Sequence, residues 1–208
     1  MERSVVLDGQ DVGTLITPTW KPMAQFSTGL LATFMTVHRM SVVVMSQRKG
    51  DFLMADSRGK LYHCVQSSNS FEVVKKATVS GPVCCAAFVE SKSGVALLAY
   101  SNGSVLVFDL NAKRTIASLQ TPSGVKAKLI RCHPTKLMMV IADEQNNLSV
   151  WDLRLMSSTL GLACQEAVVD VQFVENGRIL VVVLEKSGIH VYRSADMKVV
   201  LRCPFPDR

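Results

Sequence analysis

Four aromatic residues recur at nearly constant intervals along the chain, and each one ends or lies within a short apolar run. Tyr62, Phe108, Trp151 and Tyr192 lie 46, 43 and 41 residues apart. Further apolar runs precede each aromatic residue, and turns with Gly, Asn or Asp separate them. An interval of about 40 to 45 residues is typical of a repeated four-stranded unit. Such a chain folds by stacking several copies of one small antiparallel sheet.

Each unit is predicted to contain four strands, which we call a, b, c and d in chain order. The second unit has Ser101-Asn102-Gly103 between strands b and c, where Asn-Gly suits the positive φ of a hairpin turn. In the fourth unit the run Ile179–Leu184 is apolar without alternation, which predicts that both faces of the strand are covered. The predicted units span residues 40–75, 83–119, 125–162 and 168–203.

These features predict an all-β fold of the β-propeller type, with about four blades in a partial or open ring. The blades occupy residues 29–203, between an N-terminal extension at 1–28 and a proline-containing linker at 204–208. A helix and an edge strand both fit residues 29–38, and we expect a strand that completes a neighbouring blade. The alternative is an all-β sandwich, which does not predict matched turns at fixed offsets in every unit.

The composition argues against several other classes of protein. The first residues contain acids and no apolar run as long as that of a signal peptide, so we expect no secretory signal. The longest apolar run, roughly residues 30–45, is interrupted by His38 and Arg39, so we expect no insertion into a membrane. The six cysteines lie mostly in strand-like runs without a CxxC pair, which predicts reduced thiols and a cytoplasmic protein.

One unit carries residues that resemble a known family. Trp151-Asp152 ends its strand c, His133-Pro134 precedes its strand b, and Asp143 stands in its b–c turn. This pattern resembles the WD40-repeat β-propeller family over roughly residues 40–203. The resemblance implies structural roles in the repeat for Asp56, Asp109, Asp143, Trp151 and Asp152. The Gly-His dipeptide of the family is missing from every unit, so Asp56 and Asp143 are expected to cap their turns without the family's full buried network.

A closer resemblance, in order and spacing, is to WD-repeat proteins that carry a TBC domain and are associated with centriolar satellites. The matching segments are Gly50-Asp51-Phe52-Leu53, Ala87-Phe88, Phe108-Asp109 and Trp151-Asp152-Leu153. This resemblance implies an N-terminal WD-repeat region with a role in centrosome- or cilium-related assembly. The TBC region that acts on Rab GTPases in related proteins is not part of this sequence, so no GTPase-activating function carries over.

The sequence contains no recognisable catalytic or metal-binding motif. It has no GxxxxGK[ST] loop, no GxSxG or HExxH motif, and its four histidines fall in different units. Asp170 is an isolated acid within a strand, and we expect it to pair with a basic residue of the neighbouring blade or to lie at a rim. We therefore predict no catalytic residue, no cofactor and no metal, and hence a protein that is not an enzyme.

The predicted function is that of a noncatalytic protein-interaction scaffold, because rigid strands that carry exposed turns suit partner binding. The candidate contact residues, all in b–c turns, are Arg58, Asn102, Gln145, Asn146, Asn147 and Lys186. The alternative is a subunit of an RNA–protein assembly, since the net charge is +6 and residues 110–142 contain no acid. The residues that would contact phosphate are Lys113, Arg114, Lys126, Lys128, Arg131 and Lys136. Only 6% of residues are aromatic and none alternates with these basic residues, which favours the scaffold, with an acidic protein as one kind of partner.

Overall fold

The computed structural model of the protein describes residues 2–7, 10–16, 23–25, 31–33, 39–46, 50–67, 70–122 and 124–205. Within these residues the regular elements are β-strands and one 3-10 turn, Glu175–Gly177, and the strands form five four-stranded antiparallel sheets. The predicted all-β class is therefore confirmed. No helix in this described part is long and apolar enough to cross a membrane. The chain divides into two compact units, Met1–Val83 and Cys84–Arg208.

The first unit contains two sheets, each of which follows chain order. Sheet 1 consists of β1 (Glu2–Leu7), β2 (Gln10–Ile16), β3 (Met23–Gln25) and β4 (Leu31–Thr33). Sheet 2 consists of β5 (Met40–Met45), β6 (Phe52–Asp56), β7 (Lys60–Ser67) and β8 (Ser70–Thr78). The segment 1–28, predicted to be an extension, thus supplies three strands of a sheet. A strand is also present in the segment 29–38, and residues 29–30 and 34–38 of that segment lie outside the described residues.

The second unit contains three sheets of the same strand order. Sheet 3 consists of β9 (Cys85–Phe88), β10 (Val95–Ala99), β11 (Ser104–Asp109) and β12 (Arg114–Gln120). Sheet 4 consists of β13 (Ala127–Cys132), β14 (Met138–Asp143), β15 (Asn147–Asp152) and β16 (Ser157–Ala163). Sheet 5 consists of β17 (Val168–Val174), β18 (Ile179–Leu184), β19 (Gly188–Arg193) and β20 (Lys198–Cys203). The predicted linker begins with Pro204 and Phe205, which follow β20 outside any strand, and residues 206–208 are not described.

A β-bulge recurs at the aromatic residue of strand c. The pairing register with strand d shifts at Val107/Phe108 in sheet 3, Val150/Trp151 in sheet 4 and Val191/Tyr192 in sheet 5. In sheet 2 the shift falls between His63 and Cys64, which is two positions later relative to the aromatic residue Tyr62. A bulge bends a strand and increases its twist locally. The repeat that the aromatic residues define in the sequence therefore recurs in the backbone pairing.

Sheet 4 is packed on both faces, because its side chains alternate between two apolar layers. One layer joins it to sheet 3 through Met139, Ile141 and Trp151. The other layer joins it to sheet 5 through Val140, Ala142, Leu148 and Val150. The first strands of the three sheets, β9, β13 and β17, are neighbours. Four-stranded sheets stacked in this way are compatible with a β-propeller-like fold.

Strand β18 departs from the prediction that both of its faces are covered. Leu180, Val182 and Leu184 are buried against sheet 4, whereas the alternate residues of β18 are only partly buried. One face of this unbroken apolar strand is therefore fully covered by other residues, and the other face is covered only in part. Hydrophobicity without alternation indicates a strand in the core, but it does not show how completely each face is covered.

Candidate functional site

The candidate contact residues lie in the turns between the second and third strands of their sheets. Arg58 stands between β6 and β7, Asn102 between β10 and β11, and Lys186 between β18 and β19. Gln145 and Asn146 connect β14 to β15, and Asn147 begins β15. In the second unit these turns share one end of the stacked sheets, since β9, β13 and β17 lie side by side and strand order repeats. We call this the b–c end of the second unit.

Buried aspartates hold two of these turns in place. Asp143 is 3% exposed, and its Oδ1 accepts the backbone N–H groups of Gln145 and Asn147, both at 2.9 Å. The side-chain amide of Asn147 also donates to this carboxylate, so Asn147 stabilises the turn. In the first unit, Oδ1 of the buried Asp56 accepts the N–H of Arg58 at 2.9 Å. The side chains of Arg58 and Gln145 are exposed, whereas Asn147 is partly buried.

Asp109 and Asp152 have the same capping role at the opposite end of the sheets. Asp109 accepts the backbone N–H groups of Asn111 and Ala112 in the turn before β12. Asp152 accepts hydrogen bonds from the side chain and the backbone of Arg154, which lower the pKa of Asp152 to about 2. These two aspartates therefore support the c–d turns and lie away from the candidate contact turns.

Trp151 is held by a short hydrogen bond within its own strand. Its Nε1–H donates to Oγ of Ser149 at 2.9 Å, and both residues are buried. The hydrogen bonds of Asp143 given above join its carboxylate to residues of its own turn. Trp151 and Asp143 thus each stabilise a different part of sheet 4.

His133 joins sheet 4 to sheet 5. The residue is 1% exposed, and its Nδ1 accepts the backbone N–H groups of Thr135 at 3.1 Å and Lys136 at 3.0 Å. The proton is therefore on Nε2, which faces the backbone of Gly177. The ring packs against Phe173 with the centroids 5.2 Å apart. Burial and then the charge of Lys136 lower the pKa of His133, so the ring is neutral at neutral pH.

Two basic residues of β13 also reach sheet 5. Arg131 Nη2 forms an ion pair with Asp170 Oδ1 at 2.8 Å, which confirms the predicted pairing of Asp170 with a neighbouring sheet. Lys128 Nζ donates to the backbone carbonyl of the first residue of β17 at 2.7 Å. A third basic residue, Lys126, pairs with Glu144 of its own sheet at 2.7 Å. Three of the six basic residues suggested for phosphate contact are therefore engaged within the protein.

A cavity of about 700 Å³ lies between the outer strands of sheets 4 and 5. Its walls come from the end of β16 with the segment after it, and from β18, β19 and β20. Its polar lining residues are Cys164, Gln165, Glu166, Ser187, His190, Tyr192 and Arg202. This volume is in the range of about 300–1,000 Å³ that is usual for ligand sites.

Two of the predicted contact turns are hydrogen-bonded to residues that line the cavity. The N–H of Cys164 donates to the backbone carbonyl of Asn146 at 3.0 Å. The carboxylate of Glu166 accepts the backbone N–H groups of Lys186 and Ser187. The backbones of Asn146 and Lys186 are therefore hydrogen-bonded to residues that line the cavity, a relationship that the sequence analysis did not predict.

Three ionisable groups in the cavity, Cys164, Glu166 and Tyr192, have shifted pKa values. Burial and then the charge of Glu166 raise the pKa of Cys164, so this thiol stays protonated and is a weak nucleophile. Burial raises the pKa of Tyr192, and the negative charge that Cys164 carries when ionised is the second cause. Hydrogen bonds from Ser187 lower the pKa of Glu166, which keeps that carboxylate ionised. Among the described residues, no group of three or more His, Cys, Asp or Glu is arranged to hold a metal ion.

The cavity residues were missed in the sequence because pairing and stacking bring them together. His190 and Arg202 are cross-strand partners in β19 and β20. Cys164 and Glu166 reach the same place from the segment that links sheet 4 to sheet 5. No spacing motif marks such a set, since its members come from two different sheets.

Comparison with known proteins gives no assignment to a family. No protein-family model and no curated protein matches this chain. The fold, the turns and the cavity therefore have to carry the functional interpretation.

Proposed function

We propose that the protein is a noncatalytic WD40-type interaction scaffold, in which a partial or open propeller presents its b–c turns to a protein partner. The observation that carries this proposal is the b–c end of the second unit. The exposed residues Asn102, Gln145 and Lys186 lie there at the turns, and Ser187, in the same turn as Lys186, lines the cavity between sheets 4 and 5. Rigid strands that position exposed turns are the usual way in which repeat proteins bind partners.

Rigidity of the turns supports this function, because a preorganised surface loses less entropy on binding. Asp143 fixes the turn that carries Gln145, and Asn102 Oδ1 accepts the N–H of Ser104 at 3.0 Å within its own turn. The N–H of Lys186 is held by Glu166. The backbone of each turn is thus fixed while the side chains of Gln145 and Lys186 extend into solvent.

The experiment is affinity capture from cell extract with the full chain and two triple variants. One variant carries Asn102→Ala, Gln145→Ala and Lys186→Ala at the b–c end. The control carries Lys92→Ala, Lys113→Ala and Lys136→Ala, three exposed residues in turns at the opposite end. We expect quantitative mass spectrometry to find partners that the first variant loses and the control retains. Equal capture by both variants would show that the b–c end is not the binding surface.

Arg58 requires its own variant because it belongs to the first unit. In the scaffold it presents an exposed side chain from the turn that Asp56 caps. We expect Arg58→Ala to weaken capture of the same partners less than the triple variant does. Full capture by Arg58→Ala would confine the contact surface to the second unit.

We further propose that the scaffold acts in the cytoplasm, in centrosome- or cilium-related assembly. The support is the resemblance of its repeat residues to WD-repeat proteins associated with centriolar satellites. A fluorescently tagged full chain is expected to colocalise with a satellite marker in dividing cells. An even distribution that ignores the marker would contradict this part of the proposal.

The alternative function in an RNA–protein assembly has weaker support. Lys126, Lys128 and Arg131 are engaged by groups of the protein itself. Lys113 and Lys136 lie in turns at the opposite end of the sheets from Lys126. If these basic residues bound RNA phosphates together, three of them would have to give up contacts within the protein. The RNA would also have to reach both ends of the sheets. A gel-shift assay with RNA, repeated at several salt concentrations, tests this alternative, because phosphate contacts weaken steeply with salt.

A further inference from the structure

The cavity between sheets 4 and 5 combines a cationic group with apolar walls. His190 and Arg202 are paired across β19 and β20, and their side chains therefore lie next to each other on one face of sheet 5. Nδ1 of His190 lies 3.4 Å from the hydroxyl of Tyr192 on the same face. Leu162 of β16 and Leu184 of β18 line the apolar part of the cavity.

The cavity holds two oppositely charged side chains, the ionised carboxylate of Glu166 and the guanidinium of Arg202. Both carboxylate oxygens of Glu166 accept backbone N–H groups of the turn before β19. The guanidinium of Arg202, in contrast, is exposed, and no hydrogen bond or ion pair joins it to another described residue. An exposed, unpaired Arg is suited to bind a carboxylate through two parallel hydrogen bonds.

We propose that this cavity binds an acidic peptide segment of the protein partner, with a carboxylate on Arg202 and an adjacent aliphatic or aromatic side chain against Leu162, Leu184 and Tyr192. This inference rests on the proposed scaffold function and assigns the chemistry of its partner. A peptide fits better than a small enclosed ligand because the cavity is open and stands beside contact turns. Because Arg202 and the apolar residues Leu162 and Leu184 line the same cavity, a peptide with an acidic residue next to an apolar residue could contact both.

The test is selection of random linear peptides, displayed on phage, against the full chain. We expect the enriched peptides to carry Asp or Glu beside Leu, Ile or Phe. Synthetic versions of these peptides are then titrated against variants by fluorescence polarisation. Arg202→Gln is expected to raise the dissociation constant by about tenfold, as loss of one charge-assisted contact predicts. Ala163→Trp, an exposed position that lines the cavity, is expected to abolish binding by filling it.

The matched control is Lys198→Gln, which removes one positive charge from the other end of β20. It is expected to leave the dissociation constant unchanged. Equal weakening by Arg202→Gln and Lys198→Gln would overturn the proposal, as would enriched peptides without acidic residues or the absence of any enriched peptide. Displacement of the peptide by the same concentration of inorganic phosphate would assign the Arg202 site to phosphate groups and also overturn it.

Failure of this proposal can be told apart from failure of the scaffold function. If partner capture depends on the b–c turn residues but not on Arg202 or Ala163, the scaffold stands and the cavity assignment fails. If the selected peptides depend on Arg202 but capture ignores the turn residues, the cavity assignment stands and the turn surface fails. Circular dichroism and the urea midpoint of each exposed-site variant show whether folding is retained.

Discussion

Gly177→Ala tests how closely His133 is fitted between sheets 4 and 5. Gly177 has φ +86°, and a Cβ added there would lie 2.2 Å from Nε2 of His133. A non-glycine residue in this backbone region costs about 1–2 kcal/mol. The ring cannot move aside easily, because Thr135 and Lys136 hold its Nδ1 and Phe173 packs against it. Overpacking of this kind adds about 1–3 kcal/mol. We therefore expect a total loss of about 2–5 kcal/mol in the free energy of unfolding.

Gly124→Ala is the matched control, because it carries the backbone cost without the contact. Gly124 has φ +66°, and the atom nearest to an added Cβ is Nε2 of Gln120 at 3.8 Å. Urea unfolding is followed by the fluorescence of Trp151, which is buried in sheet 4, in a Trp20→Phe background. Equal losses for Gly177→Ala and Gly124→Ala would refute the close fit. Adding His133→Ala to both variants is expected to make their costs equal.

Three further predictions concern sheet 4 and its joint with sheet 5. A double-mutant cycle of Arg131→Met and Asp170→Asn is expected to give a coupling of about 0.2–1 kcal/mol in urea unfolding, since this pair is partly exposed. Ser149→Ala is expected to cost about 1–3 kcal/mol in thermal unfolding, because it leaves the buried Nε1–H of Trp151 without its acceptor. The lowered pKa of His133 stabilises the fold fully above its ordinary value of 6.5, and this stability is lost as the pH falls from there to the lowered pKa. Urea unfolding at several pH values is therefore expected to show a smaller loss of stability on acidification in His133→Gln than in the original protein.

Each of these predictions has a result that would contradict it. A coupling near zero for the ion pair would mean that solvent replaces the contact completely. No loss for Ser149→Ala would mean that another acceptor or water serves the Trp151 indole. An identical pH dependence for His133→Gln and the original chain would mean that the imidazole gains its proton as readily in the folded state as in the unfolded state.

The repeated sheets could be predicted because turns and aromatic residues are local features. Strand c of sheet 3 was placed correctly at Ser104–Asp109, since Asn102-Gly103 sets the turn before it and Phe108 stands near its end. Sheet 1 was missed, although Asp8-Gly9 stands between the runs that form β1 and β2 and is a typical hairpin dipeptide. Trp20 stands 42 residues before Tyr62 and therefore continues the spacing of the aromatic residues, but the predicted repeat began at residue 40 and did not include it.

The candidate site could be predicted only in its turns. The position of Lys186 and Gln145 follows from hairpin chemistry, which depends on a few adjacent residues. The cavity depends on contacts between sheets, and residues such as Cys164 and Arg202 are unremarkable in the sequence because each lies in or beside an ordinary strand. The role of His133 was missed for the same reason, since its partner Gly177 belongs to another sheet.

The polar contacts between sheets 4 and 5 involve the first strands of the two sheets, β13 and β17. Lys128 and Arg131 of β13 contact the first and third residues of β17. His133, in the turn after β13, packs against Gly177 in the turn after β17. The outer strands β16 and β20 are mostly exposed and border the cavity. A peptide bound in the cavity would therefore contact the outer strands, and Lys128 and Arg131 would keep their contacts with sheet 5.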